Sequence, residues 1–236
     1  MNPSDKSCSV NASVQPRPPR PIQGIALDMD GLLFDTERLY WQVSDQVLIR
    51  RGFRYSRALQ ARMMGRVGVA AIEQMIAFHD LNDDPVSLLH ECERMYEEAL
   101  ADGLQPMAGL RTWIGRLQQS KIPFGLATSS RRKFVDRILA TTDWAESLEF
   151  VLTGDDVTNG KPHPEIYLKA AERLSIDPSS MLVLEDSGNG CAAAVAAQAI
   201  TVAVPSEHTR DQNFSGAFLK VDSLLDPKLL ALIPSK

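Results

Sequence analysis

Two carboxylates, Asp28 and Asp30, stand directly after a short apolar run and directly before Gly31. Side chains at i and i+2 of an extended segment point to one face. Carboxylates held together repel, so a cation or a shared proton belongs between them. Mg²⁺ takes oxygen ligands and often a substrate phosphate as well. Gly31 permits a tight turn and presents backbone N–H groups to an anion. Taken alone, the segment Asp28 to Gly31 equally suits acids capping a turn.

Three more places carry related chemistry. Thr128, Ser129 and Ser130 offer hydroxyls and amides ahead of a helical pattern over 131–139, where a phosphate oxygen can sit. An ordinary serine N-cap uses the same residue types. Lys161 lies in Gly160-Lys161-Pro162-His163-Pro164, a segment stiffened by its prolines. It can neutralise a phosphate and a nearby carboxylate, or be a solvated lysine in a turn. Glu185-Asp186 closes the most apolar run, and acids buried there need a cation or hydrogen bonds. Acids favoured by a helix N-terminus are the alternative.

These residues are tied together by where they stand. Ile25 to Leu27 ends at Asp28, Phe124 to Ala127 at Thr128, and Met181 to Leu184 at Glu185. Phe150 to Leu152 is followed by Lys161, and Ile200 to Val204 ends at Pro205. Continuous apolar runs of this length suit parallel strands buried on both faces. Helical stripes alternate with them: Leu110, Trp113, Ile114 and Leu117; Phe134, Val135, Ile138 and Leu139; Ile166, Tyr167, Ala170, Ala171 and Leu174. The expected fold class is α/β, a doubly wound parallel sheet. Ligands of such sheets bind beyond the carboxyl ends of the strands, which is where the polar residues fall.

Residues 39–103 break the alternation with helical patterns alone, so an inserted all-helical cap domain is expected there. The core then comprises 22–38 and 104–236. Residues 1–21, rich in Ser, Asn and Pro, are expected to be a disordered tail. The net charge of −5 argues against nucleic acid as a partner but not against a small phosphorylated ligand. Cys8, Cys92 and Cys191 show no close pairing or metal-ligand spacing, as expected of reduced thiols in a cytoplasmic protein. No run approaches the roughly 18–20 apolar residues of a membrane span, and no signal-peptide stretch is visible. Oligomeric state is left open, and a monomer is compatible with every motif.

In chain order, the four motifs resemble those of the haloacid dehalogenase-like superfamily. Asp28-Met29-Asp30-Gly31 is similar to its first motif, Thr128-Ser129 to its second, Lys161-Pro162 to its third and Glu185-Asp186 to its fourth. Leu27 to Glu37 and Gly160 to Tyr167 resemble the β-phosphoglucomutase-like branch. That branch includes sugar-phosphate, phosphoglycolate and pseudouridine 5′-phosphate phosphatases. The resemblance implies a Mg²⁺-dependent phosphatase for a small phosphorylated metabolite. It makes Asp28 the nucleophile of an aspartyl phosphate and Asp30 the acid and base. The metal falls to the Asp28 and Asp186 carboxylates and the Asp30 carbonyl, with Glu185 orienting the surrounding shell.

The phosphoryl oxygens fall to Thr128, Lys161 and the backbone N–H groups of Gly31 and Ser129. In the cap, Arg66 lies in a Gly-flanked turn and either reaches the substrate or faces solvent. Asp35 and Thr36 read as hinge and N-cap. Mutases of the branch carry a histidine where Tyr40 stands here, which favours hydrolysis over phosphomutase activity. A non-catalytic phosphate-binding module is the remaining alternative, and Asp30 argues against a dehalogenase.

Overall fold

The strand expected around Ile25 forms as β1, Gly24–Leu27, and is wholly buried. It is followed by β2 (Phe124–Ala127), β3 (Val151–Leu152), β4 (Met181–Glu185), β5 (Ile200–Ala203) and β6 (Leu219–Lys220). The computed structural model describes residues 18–63, 66, 68–101 and 103–233. Most of the expected tail therefore lies outside the described residues. The strands make one sheet in the order β3-β2-β1-β4-β5-β6, and every neighbouring pair is parallel. Leu27 pairs with Leu126 on one side and Leu184 on the other. Asp28, Ala127 and Glu185 therefore follow at one level, at the carboxyl edge of the three central strands.

Between β1 and β2 run α1 (Thr36–Ile49), α2 (Arg57–Met63), α3 (Val69–His79), α4 (Pro85–Ala101) and α5 (Leu110–Ser120). The first four form the helical cap. α1 begins at Thr36, ahead of the boundary expected at 39, because Asp35 caps it by accepting from the Arg38 N–H at 3.3 Å. The two crossings between core and cap lie side by side. Asp35 N–H donates to Gln105 O at 2.9 Å and Met107 N–H to Leu33 O at 2.8 Å. Met64, Gly65 and Val67 of the expected cap turn lie outside the described residues.

The later helices are α6 (Arg132–Leu139), α7 (Glu165–Leu174) and α8 (Gly188–Ala196). Alternation along β1 sends Ile25 and Leu27 to one face, packed with residues of α5, α6 and the cap. Ala26 points to the other face, with Ile166, Tyr167 and Ala170 of α7 and Ala193 and Ala194 of α8. Small residues on that face let the two helices approach the sheet closely. Each large apolar side chain sealed in this way contributes about 1.5–3 kcal/mol. Among the described residues, no helix is long and apolar enough to cross a membrane.

Candidate active site

Lys161 is the hub of the carboxyl edge. Its Nζ donates to Asp28 Oδ1 at 2.6 Å, Glu185 Oε1 at 2.6 Å and the Ala127 carbonyl at 3.0 Å. Its side chain is only 6% exposed. Glu185, fully buried, also accepts from the Tyr167 hydroxyl at 2.6 Å. The Ser187 N–H and hydroxyl donate to its other oxygen at 3.2 and 3.0 Å. Gly190 is required beneath it, because a Cβ there would overlap the Glu185 carboxylate.

Asp186, also buried, accepts from Thr209 Oγ1 at 3.3 Å. Gly31 lies against it: with φ at 76°, a Cβ would meet the Asp186 carboxylate. The Gly31 N–H, expected to face a phosphate, instead donates to Phe34 O at 2.8 Å and closes the turn. The role visible for Gly31 is close approach to Asp186. Thr128 was also expected on the phosphate, yet its hydroxyl donates to Asp30 Oδ2 at 2.8 Å. Ser130 Oγ donates to the same oxygen at 2.8 Å, leaving Asp30 Oδ1 buried with no partner among the described residues. Ser129 is exposed beside them.

Arg66 lies exposed between α2 and α3. Among the described residues, no hydrogen bond or ion pair joins its side chain to these groups. A surface hollow of ≈ 170 Å³ between Arg111, Gln118, Asp143 and Trp144 touches none of them. The chemistry on the strand ends decides against that hollow.

Burial raises the Asp28 carboxyl well above its ordinary range; Lys161 opposes this, and Glu185 and Asp30 add to it. Burial likewise raises Asp186, reinforced by Asp28 and Glu185. Burial pulls the Lys161 ammonium down, but Asp28 and Glu185 outweigh it and hold it charged. Oxygens of Asp28, Glu185 and Asp186 all lie within 4.8 Å of one another. One ammonium does not balance three buried carboxylates, and a divalent cation fits the deficit. Glu185 has both oxygens hydrogen-bonded, so Asp28 and Asp186 retain more donor capacity.

The comparison with known proteins agrees with this geometry. Residues 25–204 match the haloacid dehalogenase-like hydrolase family. The chain belongs to that family. A phosphorylated carbohydrates phosphatase of Thermotoga maritima is 32% identical over 180 residues, 75% of this chain and 82% of that one. A probable pseudouridine-5'-phosphatase of Drosophila melanogaster is 33% identical over 219 residues, 89% and 93% of the two chains. The structure of CbbY from Rhodobacter sphaeroides in complex with phosphate shares the fold, with a TM-score of 0.76 at 24% identity. That match covers 90% of this chain and 99% of CbbY. This hydrolase is a phosphatase of the branch that includes β-phosphoglucomutase, phosphoglycolate phosphatase and pseudouridine phosphatase.

Two groups in the site were not singled out from sequence. Tyr167 reads as one more member of a buried stripe on α7, and only the presence of a hydroxyl in that stripe marks it. Thr209 follows the last long apolar run by several residues and carries no motif.

Proposed function

We propose that this protein is a Mg²⁺-dependent phosphatase of small phosphorylated metabolites that works through an aspartyl phosphate on Asp28. The observation that carries the reading is Lys161 Nζ bound to both Asp28 and Glu185, with Asp186 beside them. An Asp28 carboxylate oxygen attacks phosphorus in line, and the P–O bond to the leaving group breaks. Asp30 gives its proton to the leaving oxygen and then takes one from the water that hydrolyses the phosphoaspartate. Thr128, the Ser129 N–H and Lys161 hold the phosphoryl oxygens, which requires the Thr128 hydroxyl to leave Asp30 when substrate arrives.

Asp28, Asp186 and the Asp30 carbonyl would hold Mg²⁺, which when bound screens the anionic substrate from the anionic nucleophile. Glu185 keeps Lys161 in place. Tyr40 at the position of the mutase histidine supports transfer to water over transfer to a second sugar oxygen.

Asp28→Asn tests the covalent step. Release of phosphate from p-nitrophenyl phosphate with Mg²⁺ is expected to fall by at least about 10³-fold without loss of fold. Near-wild-type turnover by the variant would sink the proposal, as would wild-type turnover indifferent to chelation.

A further inference from the structure

Glu37 closes the segment Leu27 to Glu37 and has no role in the chemistry above. It occupies the first turn of α1 and is half-buried. Its Oε2 accepts from Gln60 Nε2 of α2 at 3.2 Å. Its surroundings are electrostatically crowded: burial raises its carboxyl, His208 opposes this, and Asp30 and Asp35 add to it. Glu37 in turn contributes to the raised Asp186. Its place just past Asp35 puts it where the chain passes from the carboxyl edge into the cap, and Gln60 joins it there from α2.

Tyr40 stands at i+3 from Glu37, on the same face of the helix. The Tyr40 ring is 40% exposed and stacks on buried Tyr96 of α4, with centroids 4.5 Å apart and planes at 18°. Tyr96 in turn meets Phe134 edge-on at 4.9 Å, in the helix that starts just beyond Ser130, which is bonded to Asp30. From the core side, His208 has a buried Nδ1 with no partner among the described residues. The following residue, Thr209, is bonded to Asp186. Carboxylate, amide and an aromatic face on the cap side, and an imidazole on the core side, thus flank the segments that carry Asp30 and Asp186.

We propose that Glu37, Gln60 and His208 form the leaving-group subsite and select a neutral, polyhydroxylated phosphate monoester over one bearing a second anionic group. A carboxylate accepts hydrogen bonds from two adjacent hydroxyls, and an amide and an imidazole complete the pairing. Tyr40 covers the C–H face of the same group. An acid in that place would confront the Glu37 carboxylate, and like charges at short range repel. The subsite deepens the phosphatase reading and rests on it.

The test uses matched substrates that differ only by an alcohol or a carboxylate: glycerol 3-phosphate against 3-phosphoglycerate, and sorbitol 6-phosphate against 6-phosphogluconate. With the full chain and Mg²⁺, kcat/KM is expected to favour the alcohol by at least about tenfold in the faster pair. In Glu37→Gln, that alcohol-over-acid ratio is expected to shrink by about tenfold, mainly through KM. His208→Ala approaches the subsite from the other side and is expected to raise KM for the alcohol more than it lowers kcat.

Equal or inverted preference in the wild type would overturn the subsite. So would a ratio unmoved by Glu37→Gln, since a merely structural role lowers both substrates alike. Turnover of p-nitrophenyl phosphate separates the two levels. If folded wild type hydrolyses it but shows no alcohol preference, only the subsite fails. If it does not hydrolyse it, the phosphatase reading fails.

Discussion

Glu185 shows how single residues are fixed by what surrounds them. It is fully buried, and its oxygens are held by Lys161, Tyr167 and Ser187. A buried carboxylate that loses a donor bears the desolvation cost directly. Tyr167→Phe is therefore expected to destabilise the fold by about 1–3 kcal/mol in chemical denaturation, with little change in volume. An unchanged midpoint would mean the Tyr167 hydroxyl contributes nothing net. Gly190→Ala is a harsher change at the same place, since the added Cβ overlaps the Glu185 carboxylate. We expect it to displace Lys161 and lower kcat by at least about tenfold, read from phosphate release under saturating substrate.

At the level of elements, Arg51 ties separate parts of the cap together. Arg51, just beyond α1, donates to Asp83 through Nε at 3.1 Å and Nη2 at 2.7 Å. Nη2 also reaches Glu91 of α4 at 2.7 Å, and Nη1 reaches Val47 O at 2.9 Å. Hydrogen bonds from Arg51 hold both acids below their usual range. A depressed carboxyl contributes its stability above the unfolded pKa, roughly 4, and loses it as pH falls through the lower folded value.

Arg51→Met is therefore expected to lower stability by about 1 kcal/mol at pH 7, discounted for the partial exposure of all three groups. The deficit should shrink as the pH approaches about 3. Thermal unfolding across that range checks it; a deficit independent of pH would assign the loss to packing alone.

Across the whole molecule, cap and core meet along a charged seam. Glu93 of α4 accepts from Arg131 at 2.7 Å and from Lys133 at 2.8 Å. Lys133 also pairs with Glu97 at 3.0 Å, and Arg137 donates to the Glu97 carbonyl at 2.9 Å. Arg131 is the N-cap of α6, which carries Lys133 and Arg137 and follows Thr128 to Ser130, so the seam couples cap position to the carboxyl end of β2. Glu93→Gln is expected to speed hydrogen exchange in α4 and α6 severalfold while leaving β1 and β4 unchanged. Raising ionic strength in the wild type should act in the same direction, because the pairs are partly exposed. Equal exchange in both proteins would show that apolar packing alone positions the cap.

Much of this was legible in the chain. The apolar runs that became β1, β2, β4 and β5 are long enough to be recognised, and the acids and hydroxyls at their ends follow directly. Parallel pairing then brings those ends to one edge, which made Asp28, Lys161, Glu185 and Asp186 candidates without coordinates of any atom. β6, two residues long, has no periodicity to detect. Direction of individual polar groups was equally hidden: that Thr128 and Ser130 bond to Asp30 depends on contacts between segments about a hundred residues apart. Local sequence determines which residues end a strand, because burial and periodicity are local. Tertiary structure alone decides which donor meets which acceptor, because those pairings form only once the sheet has closed the distance.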